Sequence, residues 1–436
     1  MDLSPDVMDR IYLYKNRGKS VVTRMEAVLD TDIREDILRE AVSESLETYP
    51  LFGIKPALTE EGKAVFREAY GKLPVFEKST GRHRMGTEDT GGHLFCIYYG
   101  KNSIELTASH IVGDARQDID FLDQVICNYY RLIGTEEDGE GKAKHAGTEE
   151  CTGLLEAAAA YRERMAGGTS GQYAADREEA AAGSTFAEAC DRPYDGTGLY
   201  VKRSVSFAYS RLLEHAGRYD ISPMLILVDT IALAMERVYD TKGKDLKICV
   251  SIDMRKVYGI DSMHNFSTGV DLIYPAQGKE MEIEKRYTVL KETYGKLKDT
   301  AGLTDGIIGN GELIKLLETY LDLGDYKTVE AVMNKGLQEK LPSFYIASLG
   351  RMKLSKTSER HIRSVEFNGI PTTGETCYYA YVFGDTCKLN MASSHDNERV
   401  AGEIAEILRE KGIDTRDETV SLEDTDFLDV QGFERV

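Results

Sequence analysis

The chain has no tryptophan, no C-x-x-C pair and no apolar run of the ~18 residues a membrane-spanning helix needs. Its seven cysteines are odd in number and scattered, which fits buried, reduced thiols in a cytoplasmic protein. The opening MDLSPDVMDRIYLYKNRG carries acidic residues and no long apolar stretch, so it does not read as a signal peptide. Positive charge is in short supply: 54 Lys and Arg stand against 74 Asp and Glu, a formal net charge of −20. Such a surface repels phosphate backbones and anionic lipid, so neither nucleic acid nor a membrane is expected as a partner. An anionic substrate would need a local basic pocket. No metal site is expected, since His83 and His93 have no Cys or acidic partner at ligand spacing. The glycines at 306, 309 and 311 do not form a G-x-G-x-x-G, and no strand leads into them, so no dinucleotide site is expected there. No internal repeat appears.

What is present is a globular chain of 436 residues, 42% apolar and 29% charged. That length suits two lobes of roughly 200 residues each. The most informative stretch is residues 103–133. Ile104, Leu106 and Ala108 alternate with polar residues, which predicts a half-buried strand. From Asp118 onward, Phe121, Leu122, Val125, Ile126, Tyr129, Tyr130 and Ile133 recur at helical spacing. Between strand and helix lies a short loop with His110 and Asp114. By itself an H-x-x-x-D pentapeptide reads as a loop histidine beside a helix-capping aspartate. The positive end of the following helix, however, would disfavour the imidazolium and keep the ring neutral, as a general base must be.

Elsewhere the pattern predicts a short helix at 5–16, a strand at 20–29, and a helix at 33–49 capped by Asp32 and stopped by Pro50. Short strands follow at 64–70 and 94–99. Residues 134–195 lack apolar periodicity and read as a solvent-exposed linker, helical in part within 155–182; the acidic run at 136–140 reads as solvated loop. Beyond it come strands at 201–209, 247–253, 268–274 and 343–349, and helices at 223–239, 282–298 and 398–411. One or two further helices are expected within 311–338. A hairpin is expected over 376–392, turning at Gly384-Asp385. Ser222 and Pro223 fit a helix start. The tail from 414 is acidic and weakly patterned. Strands and helices mix in each half, so the expected class is α+β.

Ser109-His110-Ile111-Val112-Gly113-Asp114-Ala115 resembles the H-H-x-x-x-D-G motif of the chloramphenicol acetyltransferase-like superfamily, which includes nonribosomal peptide condensation domains and alcohol acyltransferases. Residues 21–50 are similar to the opening strand and helix of those proteins. Residues 251–255 followed by His264-Asn265-Phe266-Ser267 resemble a D-x-R … G-N-F stretch, and 343–350 a later S-N-L-G strand. The resemblance implies two acetyltransferase-like lobes forming a V with a central tunnel, at 1–150 and 196–436, joined by a linker at 151–195. It implies a free-standing, monomeric enzyme with no permanently bound cofactor. Acyl-CoA or an acyl-carrier thioester would be its co-substrate. His110 would be the base that activates an alcohol or amine acceptor. Asp114 would support the active-site loop by pairing with Arg255.

Ser109 stands where the motif has its first histidine, and Ala115 where it has glycine. Since Ala resists positive φ, the loop after Asp114 is expected to run differently. The missing tryptophan and the lack of a D-F-G-W-G motif separate the chain from the plant-type members and from chloramphenicol acetyltransferase itself. Asn265 and Ser267 either line the tunnel or form a turn before a strand. Ser348 either polarises the thioester oxygen or is a buried strand serine. His361 and His395 read as surface residues. Two basic groups could receive an anionic donor: Arg82, His83 and Arg84, or Arg351, Lys353 and Lys356. The competing function is a non-catalytic protein of the same fold that binds an acyl ligand or a carrier protein.

Overall fold

The computed structural model describes residues 6, 8, 9, 12, 21–58, 64–135, 153–165, 199–322, 332, 342–370, 376–393, 397–424 and 434–435. The helix expected at 5–16 lies largely outside these residues, as do the acidic run at 136–140 and His395. In the first part of the chain, β1 (Val22–Leu29) leads to α1 (Glu35–Thr48), β2 (Ile54–Leu58) and β3 (Ala64–Glu68). Then come β4 (Val75–Glu77), β5 (Phe95–Tyr99), β6 (Ser103–Ser109) and α2 (Ala115–Leu132). A second run comprises α3 (Leu154–Met165), β7 (Leu199–Ala208), α4 (Tyr209–Tyr219), α5 (Pro223–Val238), β8 (Leu246–Asp253), α6 (Arg255–Tyr258) and β9 (Ser267–Tyr274). It continues with α7 (Ile283–Leu297), α8 (Thr300–Asp322), β10 (Phe344–Arg351), α9 (Lys356–His361) and β11 (Ile362–Ile370). The chain closes with β12 (Cys377–Phe383), β13 (Thr386–Ser393), α10 (Glu398–Glu410), β14 (Thr415–Asp424) and β15 (Glu434–Arg435).

These elements make an α+β fold with two large sheets. The five-stranded sheet runs β11-β1-β6-β5-β4, and the seven-stranded sheet runs β14-β7-β13-β12-β10-β8-β9. A small third sheet runs β15-β2-β3. Most neighbours are antiparallel; β4 with β5, β10 with β8 and β12, and β15 with β2 are parallel. Met25, Leu106 and Ala108 of the first sheet pack against Leu38 and Val42 of α1 and Phe121, Val125 and Ile126 of α2. The second core joins Ile248, Val250 and Ile346 to Ile226 and Ile231 of α5 and Ile404 of α10. Each of these Val, Leu, Ile, Phe or Met side chains withdrawn from water contributes about 1.5–3 kcal/mol.

β6 is buried along its whole length, not half-buried as its alternation predicts. It lies between β1 and β5, and its polar face is covered as well. Glu105, 2% exposed, accepts hydrogen bonds from Arg24 at 3.1 Å and from Arg82, with Lys78 at 3.7 Å. Burial alone would raise the Glu105 pKa, but Arg24 and Arg82 outweigh it and hold it at about 2. The folded pKa is depressed, so this contribution is present above the unfolded value near 4.3 and is lost as pH falls toward 2. Glu105→Gln should therefore flatten the loss of stability between these values by roughly 2–3 kcal/mol, read from urea midpoints across pH. Parallel acid-side curves for the two proteins would refute this.

Several local expectations change. Asp32 is exposed and does not cap α1; the helix starts at Glu35, and its N-cap Arg34 makes no side-chain cap bond. Instead the Arg34 N–H donates to the Tyr129 hydroxyl, which donates to the Asp32 carbonyl, both at 3.0 Å. α3 falls within the stretch expected to be solvent-exposed, yet Leu154, Ala157 and Ala158 are buried in the second core. The helix expected within 311–338 begins earlier, at Thr300, and takes in the glycines at 306, 309 and 311. The weakly patterned tail holds β14, paired with β7. Ser222 caps α5 as expected, its Oγ accepting from Leu225 N at 3.3 Å. Cys96, Cys127, Cys377 and Cys387 are buried and form no disulfide among the described residues. No described helix is long and apolar enough to cross a membrane.

Candidate active site

His110 sits at the carboxyl end of β6. Its N–H donates to the Val21 carbonyl at 2.8 Å, which extends the β1–β6 pairing by one step. The chain then turns: Val112 N donates to the Ser109 carbonyl at 3.1 Å and Ile111 N to Ser109 Oγ at 3.3 Å. Ser109 is fully buried, so its hydroxyl serves the turn beneath the histidine. Asp114 ends the loop. Its Oδ1 caps α2, accepting from Arg116 N at 3.0 Å and Gln117 N at 3.3 Å. That cap starts α2 three residues before the periodicity does. Ala115 is the first residue of α2 and is not among the positive-φ residues. The position makes no demand for glycine, so the substitution does not redirect the loop.

The second oxygen of Asp114 reaches the other half of the chain. Oδ2 accepts from Arg255 Nη1 and from Phe266 N, both at 2.9 Å. Arg255 also donates to Ser262 O at 3.0 Å, to His264 O at 2.6 Å and to Asp253 Oδ1 at 3.1 Å. Its guanidinium lies over the Phe266 ring. Burial would raise the Asp114 pKa, but the Arg255 charge and the Phe266 N–H prevail and leave it below the usual carboxylate range. Asp114 is thus both a helix cap and the anchor of the loop before β9. Asp9 holds the same loop from the N-terminal side, accepting from Asn265 N at 3.1 Å and lying 2.8 Å from His264 Nδ1.

That loop delivers Asn265 to His110. Asn265 Oδ1 accepts from Ser267 N at 3.0 Å and Ser267 Oγ at 2.7 Å, which turns the amide nitrogen toward His110. Nδ2 lies 2.9 Å from His110 Nδ1. The hydrogen-bond network assigns Nδ1 as acceptor, so a neutral ring carries its hydrogen on Nε2. Tyr12 stacks on the imidazole, with ring centroids 4.6 Å apart and planes 11° from parallel. Its hydroxyl bonds with Asn265 and Ser267, and burial pushes its pKa up to about 12, so it is a neutral phenol.

His110, Asp114, Arg255 and Ser267 border one cavity of about 450 Å³, with walls from both halves of the chain. Ser348 borders it from β10 and is exposed there, not buried in the strand. Asn265 and Ser267 fill both readings: they form the turn before β9, and Ser267 reaches the wall. Of the two basic groups, Arg82 is tied to Glu105 and does not line the cavity, whereas Arg351 and Lys353 do and Lys356 does not. Arg116 and Lys256 also line it. Arg116 is paired with Asp120 at 2.9 Å, while Lys256 and Lys353 make no ion pair among the described residues. No described cluster of His, Cys, Asp or Glu could hold a metal. His361, expected at the surface, is 15% exposed and stacks on Tyr130 at 3.8 Å, away from the cavity.

Sequence reasoning missed Asp9, Tyr12, Arg116 and Lys256. Arg116 and Lys256 directly follow motif residues and could have been found by reading one step further. Asp9 and Tyr12 act across more than 250 and nearly 100 residues respectively, and nothing local marks them.

No family profile matches the chain, and no curated protein matches it in sequence. Solved structures do match in fold. Fusarium sporotrichioides TRI101, complexed with coenzyme A and T-2, aligns at a TM-score of 0.57 and 11% identity, over 96% of this chain and 99% of that one. The trichothecene 15-O-acetyltransferase TRI3 from the same organism aligns at 0.58 and 10% identity, over 93% of each chain. The first condensation domain of the CDA synthetase aligns at 0.56 and 12% identity, again over 93% of each.

Proposed function

From the chloramphenicol acetyltransferase-like fold of this chain, we propose an acyltransferase that moves an acyl group from a thioester to a hydroxyl or amine. One observation carries the reading: His110 lines a cavity between the two halves of the chain whose wall also holds Arg351, Lys256 and Lys353, the two lysines making no ion pair among the described residues, beside the carboxylates of Asp120, Asp253 and Asp261. In a chain of net charge −20, these cations supply the local basic wall that an anionic donor requires. Coenzyme A is one donor that fits, since TRI101 binds it on the same fold; a carrier-protein thioester is the other, by comparison with the condensation domain.

When the Asn265 amide releases Nδ1 and the ring hydrogen moves to that nitrogen, the freed Nε2 lone pair of His110 takes the proton from the acceptor O–H or N–H as that atom attacks the thioester carbonyl carbon. The new C–O or C–N bond forms and the C–S bond breaks. The leaving thiolate recovers the proton from the imidazolium. Because the thioester is already activated, positioning and a polarised oxygen suffice without a covalent enzyme intermediate. Ser348 is one of the hydroxyls on the wall and can donate to the developing oxyanion. Asp114 and Arg255 shape the loop and do not touch the acyl group.

In the resting ring the lone pair is on Nδ1, where Asn265 occupies it. Asn265→Asp would replace this donor with a carboxylate, favour hydrogen on Nδ1 and stabilise the imidazolium. The base form would then be lost at higher pH. The acid limb of kcat/KM against pH should move up by about one unit or more; an unmoved limb would count against contact between residue 265 and the base.

The test of the whole reading is release of free thiol from short and medium acyl-CoAs with a panel of alcohols and amines. Turnover that requires both donor and acceptor supports it. A folded protein that binds acyl-CoA in calorimetry but releases no thiol with any acceptor would support a binding protein instead.

A further inference from the structure

A second cavity, of about 560 Å³, lies among α4, α5, α7 and α10 and takes no part in the chemistry above. The seven-stranded sheet separates the two. Ile248, Val250, Phe344 and Ile346 point to the helix side, in the second core. Ser251, Asp253 and Ala347, in the alternate phase of β8 and β10, point to the His110 cavity. A donor molecule in one cavity therefore does not reach into the other.

The floor of this second cavity has more buried positive charge than its carboxylates answer. Asp229 is fully buried and serves two cations: Arg286 through Nε at 2.9 Å and Nη2 at 3.4 Å, and Lys411 through Nζ at 3.0 Å; Arg286 Nη1 donates to the Met281 carbonyl. The side chains of the two cations are 9% and 5% exposed. Asp229 also accepts from the Tyr274 hydroxyl at 3.1 Å. His215 beside them is saturated, with Nδ1 3.2 Å from Lys411 O and Nε2 3.0 Å from Tyr287 OH. The surrounding carboxylates are engaged elsewhere. Glu410 and Glu403 accept from Arg237, Glu214 from Arg211, and Glu236 from the N–H groups of Gly278 and Lys279. Glu280 lines the rim. Arg218 and Lys279 complete the wall; Lys279 has no ion pair among the described residues, and Arg218 only a 3.9 Å contact with Glu214.

Two buried cations sharing one carboxylate, below two further cations at the rim, form a site with an unfilled demand for negative charge. We propose that this cavity binds a small phosphorylated molecule, with its phosphate against Lys411 and Arg286 and its outer oxygens toward Arg218 and Lys279. The Arg218 guanidinium fork and the Lys411 and Lys279 ammonium groups, above the Arg286 charge, together suit a doubly charged tetrahedral oxyanion. The volume leaves room for a small organic group beside the phosphate.

The experiment is calorimetric titration of inorganic phosphate into the full chain, with sodium chloride at matched ionic strength as control and citrate as a carboxylate probe. Phosphate should bind saturably. Arg218→Ala and Lys279→Ala alter exposed rim residues that the cores do not use, and each should weaken binding by about tenfold. Binding equal to that of wild type in both variants would place the phosphate elsewhere, the His110 cavity included, and overturn the proposal. So would heat no greater than the chloride control, or binding of citrate without phosphate.

Discussion

His110→Ala should lower kcat/KM for acyl transfer by about 10²–10⁴, the usual worth of a positioned general base. The melting temperature should stay within about 4 °C of wild type. The reason lies in how the ring is held. Its backbone N–H, which Ala keeps, makes the bond to Val21. The side chain stacks on Tyr12 and contacts Asn265 at the edge of a cavity. The bonds that join the two halves of the chain run through Asp114 and Arg255 and bypass it. Loss of activity without loss of fold is thus the signature expected of a residue whose work is chemical. Equal thiol release by wild type and variant would end the assignment of His110 as base.

Arg255→Met should do the opposite, costing about 3–5 kcal/mol of stability. Asp114 is 4% exposed, and its charge would be left buried with only backbone N–H groups to answer it. The carbonyls of Ser262 and His264 would lose their donor at the same time. Asp114→Asn in the same chain removes the stranded charge while an amide oxygen can still cap α2. The double variant should therefore lose less than the two single losses combined, measured by urea unfolding. Additive losses would mean that the 2.9 Å contact does not couple the pair. The pH dependence has a definite sign. Asp114 has a depressed pKa in the folded state, so its contribution holds above the unfolded carboxylate value and falls away as pH drops through the folded one. Arg255→Met should remove that acid sensitivity.

Much of this site can be read from residues 103–133 and 251–267, because each stretch places its polar residues at the end of an apolar pattern. Alternation in Ile104, Leu106 and Ala108 fixes where β6 ends, and His110 follows it. The capping role of Asp114 is equally local, since a carboxylate before a helix has the N–H groups of that helix to satisfy. What connects them is not local. The grip of Arg255 on Asp114 spans 141 residues and was legible only by resemblance to a family motif. The stack of Tyr12 on His110 had no signal at all. β11 was missed for a different reason. In IRSVEFNGI the apolar residues change phase after Ile362, and the β1–β11 register shifts at Val28/Leu29, so no clean period of two survives. The buried face of α3 was missed because alanine carries little hydrophobic weight, even where Ala157 and Ala158 are fully enclosed.

β11 also bears on the order in which this protein can be made. It is the outer neighbour of β1, and the pair is in register from Val22 opposite Ile370 to Val28 opposite Ser364, with a shift before Leu29 opposite Ile362. During synthesis, β1 and β6 emerge hundreds of residues before the strand that covers them. For that interval β1 presents an unpaired edge bearing Met25 and Ala27, a template for the wrong partner. The first half of the chain is thus committed early but finished late. A nascent chain stalled before residue 362 should aggregate or recruit chaperones, whereas one released after residue 370 can close its own edge.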